Sequence, residues 1–83
     1  MMNKTLIGLK IKHGSPGYEE LEVINDVTLN SSNRVVVHFE SGFVTNMTQE
    51  EYNKFTQEGE IKYTQHFGSA KDTGLAVMYL LDN

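Results

Sequence analysis

Hydrophobic and polar residues alternate with a period of two along most of this chain, and clusters of Gly, Ser, Asn and Pro interrupt the alternation. In "TLIGLKIK" (5–12), Thr5, Ile7, Leu9 and Ile11 share one face and Leu6, Gly8, Lys10 and Lys12 the other, predicting a first half-buried strand. "HGSPGYEE" gathers two glycines, a serine and the only proline, so a loop follows and ends near Glu20. "LEVINDVT" (21–28) sets Leu21, Val23 and Val27 inward, with Asn25 the polar break at an inward position, the mark of a bulge or a polar strand end. "RVVVHFE" (34–40) turns Val35, Val37 and Phe39 to the core, Ser41 and Gly42 signal a hairpin, and "FVTNM" (43–47) supplies its return strand.

Thr48 and Glu51 then carry the capping-box spacing, which predicts a helix over about 48–57 with Tyr52 and Phe55 on its inner side and Gly59 at its end. "EIKYTQHF" (60–67) returns to alternation, with Ile61, Tyr63 and Phe67 inward and Lys62, Thr64 and His66 outward. "GSAKDTG" reads as a flexible connection. The closing run "LAVMYLLDN" is apolar throughout, so periodicity leaves strand and helix open over 75–81. The preceding Gly74 and the ending Asp82 and Asn83 favour a strand, with an apolar face covered by a second copy or by the barrel itself.

Eighty-three residues give room for one small domain, 1–83, with a thin core. The absence of cysteine removes disulfide staples, thiolate chemistry and cysteine zinc sites, and fits a reducing cytoplasm. Leu6, Ile7 and Leu9 fall far short of a signal segment or of the roughly 20 residues that span a bilayer, so no membrane role is expected. Eleven acidic against seven basic residues leave a net charge of −4, which works against a non-specific grip on phosphates. Glu19, Glu20, Glu22 and Asp26 form an acidic stretch that serves either as a solvated edge or as a surface for a basic partner.

Chemistry-bearing patterns are sparse. His13, His38 and His66 lack metal-ligand spacing, although His38 and His66 both face outward and would meet if their strands were neighbours. No serine stands in a glycine-flanked elbow, and the pairs Glu19/Glu20 and Glu50/Glu51 are adjacent residues that point apart. The expectation is a protein without catalytic residues, metal or cofactor. Lys10, Lys12, Arg34 and Lys62, with His66, lie on outward strand faces among Glu22, Asp26, Glu40 and Glu60, so they form either cross-strand ion pairs or a local basic patch. Tyr18 and Phe43 lie near loops as candidate exposed anchors. The candidate binding residues are therefore Lys10, Lys12, Tyr18, Arg34, His38, Phe43, Lys62 and His66.

The ordered stretches "LEVIND", "NRVVVHFESGFVT", "YNKFTQEGEIKY" and "TGLAVMYL" resemble a short module common in bacteriophage and prophage proteins, also found attached to phage HNH-type homing endonucleases. The likeness covers residues 17 to 80 loosely. It departs from the module after Lys62, where a proline-containing segment is missing, and at Met78, where a glycine is usual before the tyrosine. The resemblance implies a mainly β, Src-homology-3-like (SH3-like) β-barrel of five or six mostly antiparallel strands with one short α-helix, and a phage origin. It implies no activity. With the acidity and the missing chemistry, it leads to the expectation of a small binding protein in an infected bacterial cell that engages and inhibits a host protein, such as a defence factor. Two alternatives are a nucleic-acid-binding accessory module and a homo-oligomeric sponge that holds a signalling nucleotide between subunits.

Overall fold

The computed structural model describes residues 6–67 and 69–81. Strands β1 (Lys10–Gly14), β2 (Glu20–Leu29), β3 (Val35–Phe39), β4 (Val44–Met47), β5 (Glu60–Phe67) and β6 (Ser69–Leu80) form one antiparallel sheet in the order β4-β3-β2-β1-β6-β5. The α-helix among the described residues, α1 (Gln49–Glu58), carries the chain from one edge of that sheet to the other. The fold is mainly β with one short helix, as the alternation predicts. No helix among the described residues is long and apolar enough to cross a membrane.

The helix begins where its cap requires. Thr48 Oγ1 accepts the Glu51 N–H at 3.0 Å while Glu51 Oε1 accepts the Thr48 N–H at 2.8 Å, so two otherwise orphaned donors are satisfied. Glu50 and Glu51 place negative charge at the positive end of the helix dipole. Gly59 ends the helix at φ 81°, a left-handed conformation in which a Cβ is strained, and its N–H donates to the Phe55 carbonyl. Tyr52 and Phe55 are buried with Leu6, Ile11, Ile24, Val35, Val37, Phe39, Met47, Tyr63, Ala76 and Met78 in one core.

Several sequence expectations are corrected. Residues 6–9 form a tight turn instead of the start of a strand, with Leu9 N–H donating to the Leu6 carbonyl; Leu6 is buried and Ile7 is half exposed, while Thr5 lies outside the described residues. In β2, Glu22 and Ile24 face the core and Leu21 is 56% exposed, the reverse of the expected phase. A register shift between Ile24 and Asp26 then bulges the strand and restores Val27 to the interior opposite Val37. The expected flexible connection "GSAKDTG" is mostly strand, because β5 and β6 pair from Glu60↔Tyr79 to His66↔Thr73 and, past a second register shift, at Phe67↔Ser69. Residues 75–80 are strand, and Phe67, expected in the core, is half exposed. That hairpin outruns its neighbours: β1 pairs β6 only from Val77 to Leu80, so nothing from β1 covers Phe67. The Phe67 ring lies instead over Gly74, where a Cβ would come within 2.8 Å of ring atom Cε2.

The edge strands β4 and β5 pack against each other without a shared ladder. Side chains close this seam and curl the sheet into a barrel-like form. The Asn46 amide donates to the His66 carbonyl at 2.8 Å and accepts the His66 N–H at 3.0 Å, copying the hydrogen-bonding edge of a backbone. Arg34 Nε donates to Asn46 Oδ1 at 2.9 Å and its Nη2 to the Thr64 carbonyl at 3.0 Å. Inside, Thr45 Oγ1 bonds the Tyr63 hydroxyl at 2.6 Å and donates to Gln65 Oε1.

Candidate functional site

Antiparallel neighbours put the β1–β2 loop (15–19), the β3–β4 hairpin (40–43) and the tip of the β5–β6 hairpin at one end of the barrel, opposite α1. The first two of these connections each expose an aromatic ring. Tyr18 is 80% and Phe43 68% exposed, the largest exposures of any large hydrophobic side chain among the described residues, and Phe67 adds a third ring at 50%.

The turns beneath the first two rings are fixed by hydrogen bonds. Tyr18 N–H donates to the Ser15 carbonyl at 2.8 Å, and Gly17 N–H donates to Glu19 Oε2 at 2.9 Å, an interaction that holds the Glu19 carboxyl below the usual carboxylate range. Ser41 Oγ donates to Glu22 Oε1 at 2.8 Å and accepts from Phe43 N–H at 3.3 Å, while Phe39 and Phe43 close the hairpin across the backbone. Glu22, nearly buried at 9% exposure, thus anchors the turn that displays Phe43. Rings held on preformed turns lose little conformational entropy on binding, which favours their use as anchors.

Behind this end, His13 points into the barrel, its ring 5.0 Å from that of Phe39 and 6.5 Å from that of Tyr63. Burial lowers the His13 pKa, and the nearby Glu22 carboxylate raises it by less. His13 Nε2 is buried with no hydrogen-bond partner within the chain. Burial likewise raises the Tyr63 pKa far above its ordinary value, against the smaller lowering effect of its Thr45 hydrogen bond. Tyr63 belongs to the core, and His13 is partly exposed at its margin.

The candidate residues named from sequence divide into four places. Tyr18 and Phe43 share the loop end. Lys10, Lys12 and Lys62 share the outer face of β2-β1-β6-β5, where their cross-strand partners are Val23, Leu21 and Tyr79, and Val77, not carboxylates. Arg34 is engaged in the seam. His38 lies on β3, its Nε2 3.0 Å from Thr28 Oγ1, and β4 separates it from His66, so the two histidines are not brought together. The His66 backbone belongs to the Asn46 clasp.

Between α1 and the outer face of β5–β6 opens a shallow groove of about 340 Å³, walled by Lys54, Glu58, Glu60 and Lys62 over Val77 and Tyr79. Two cations and two carboxylates offset one another there, so the groove holds no net attraction for an anion. Leu21, Val44 and Phe67 are exposed apolar residues that sequence reasoning did not single out. Leu21 was hidden by the phase error in β2 and Phe67 by its place near the end of the long β5–β6 hairpin, whereas the plain alternation of β4, with Thr45 and Met47 buried, already places Val44 outside. No protein-family model, curated protein or solved structure matches this chain.

Proposed function

We propose that this chain is a phage-type binding protein without catalytic activity that engages and inhibits a bacterial host protein through the loop end of its barrel. The observation that carries the reading is the display of Tyr18 and Phe43, both more than two-thirds exposed, on separate hydrogen-bonded turns at one end of the fold. Aromatic anchors of this kind dominate the energetics of protein interfaces. The phage setting rests on the motif resemblance, and host inhibition on that setting together with the small, acidic, chemistry-poor chain.

A nucleic-acid reading draws support from Lys10, Lys12 and Lys62, none of which has a carboxylate as its cross-strand partner, although Glu19 at the end of the β1–β2 loop attracts Lys12. It ranks second because Glu58 and Glu60 flank Lys62 and the chain as a whole carries −4. The deciding experiment is affinity capture from bacterial lysate, with and without nuclease, using wild type, a Tyr18→Ala/Phe43→Ala variant, and a Lys10→Ala/Lys12→Ala/Lys62→Ala variant. The expected result is a host protein held by wild type and by the lysine variant, with affinity reduced about 30-fold or more when both rings are removed. Capture indifferent to the two aromatic substitutions would reject the loop end. Recovery that disappears with nuclease and with the lysine substitutions would transfer the assignment to nucleic acid.

A further inference from the structure

The outer half of β6 has a vacant hydrogen-bonding edge. Leu80 N–H donates to the Gly59 carbonyl on the β5 side, and Leu81 N–H donates to the Lys10 carbonyl on the β1 side, so backbone groups along β6 point alternately to β5 and to β1. By that alternation, residues 73, 75, 77 and 79 face the β1 side. The seam confirms the phase: the backbone groups of His66 and the Thr64 carbonyl face away from β6, toward Asn46 and Arg34. Their cross-strand partners Thr73 and Leu75 must therefore face away from β5. On that side β1 supplies partners only as far as Gly14, opposite Val77. Thr73 and Leu75 accordingly present N–H and C=O groups that the sheet register leaves without a strand.

We propose that this edge pairs with the same edge of a second copy, joining the two sheets across a two-fold axis at Gly74. In antiparallel pairing about that residue, Thr73 of one copy lies opposite Leu75 of the other and each exchanges both its N–H and its C=O, so the segment is its own complement. Natural edges are usually blunted by a lysine, a proline or a bulge. The paired stretch from Thr73 to Leu75 carries no charged residue and no proline; Lys71, Asp72 and the register shift between His66 and Phe67 lie just beyond it toward the hairpin tip. Leu75, 52% exposed on the outer face, would meet Thr73 of the second copy and lose much of that exposure.

The test is sedimentation velocity of the whole chain over a concentration series up to roughly 1 mM, the range a short interface requires. Thr73→Pro removes one edge-facing N–H while sparing the β5–β6 ladder, and Leu75→Lys places a charge at the same edge without altering the backbone. Far-UV circular dichroism and a thermal melt establish that each variant remains folded. A wild-type dimer whose dissociation constant rises at least tenfold in either folded variant supports the pairing. A wild type that stays monomeric throughout overturns it, as does a dimer of unchanged affinity in the folded variants.

Discussion

Replacing Asn46 by alanine tests whether one side-chain amide closes the barrel. The amide makes three contacts: a donated bond to the His66 carbonyl at 2.8 Å, an accepted bond from the His66 N–H at 3.0 Å, and an accepted bond from Arg34 Nε at 2.9 Å. A hydrogen bond in a folded protein is worth about 0.5–1.5 kcal/mol net, with more when one partner is charged. The seam is only partly buried, so water re-solvates some of the groups left behind. The expected loss is about 2–3 kcal/mol, which corresponds to a drop in Tm of roughly 8–24 °C for a chain of this size. Urea unfolding followed by far-UV circular dichroism should show the midpoint falling by about 1–2 M with an unchanged m value. Asn46→Leu keeps the volume and removes the polar atoms, so it should lose as much as the alanine variant. Arg34→Ala, which removes the cation from the same clasp, should be non-additive with both. A folded Asn46→Ala protein within about 0.5 kcal/mol of wild type would refute the reasoning and leave closure to the interior Thr45–Tyr63 contact and the core.

Two tyrosines make a contrasting pair. The Tyr52 hydroxyl is buried with no hydrogen-bond partner within the chain, so Tyr52→Phe should be neutral or stabilising by up to about 1 kcal/mol. Tyr63→Phe discards the bond to Thr45 and should cost about 1 kcal/mol or more, read by the same urea titrations. His13 sets a pH dependence. Burial lowers its folded pKa below the ordinary 6.5, so the unfolded chain binds the proton more readily and acid favours unfolding. Its contribution is fully present above about pH 6.5 and is lost as pH falls from there through the folded pKa; His13→Phe should flatten that part of the stability curve.

The elements most legible in the sequence were those with two agreeing signals. Alternation and β-branching agree at Val35, Val37 and Phe39; the Thr48/Glu51 box and Gly59 agree on both ends of α1. The phase of β2 was illegible for a physical reason. "LEVI" offers an apolar residue to either face, and the inward choice of Glu22 depends on Ser41, nineteen positions away, whose hydroxyl satisfies the carboxylate. A local pattern contains no trace of such a partner. Phe67 was misplaced because alternation indicates which side of a strand a residue takes, whereas burial depends on how far the neighbouring strand runs, and β1 stops at Gly14. For the candidate site, loop position sufficed for Tyr18 and Phe43. In the sequence Arg34 reads as an outward binding residue and nothing singles out Asn46, because their place in the seam depends on the meeting of two strands separated by the helix.

The placement of β6 between β1 and β5 also governs the order in which the molecule can assemble. The meander β1 to β4 needs only neighbouring segments, and so does the β5–β6 hairpin, but Ile11 finds its partner Leu80 only after nearly the whole chain has been gathered. Joining β1 to β6 closes a loop of nearly the whole chain, a loop-entropy cost that slows folding relative to a meander of neighbouring strands alone. In the folded sheet, β6 is what fills the edge of β1 that β2 leaves open.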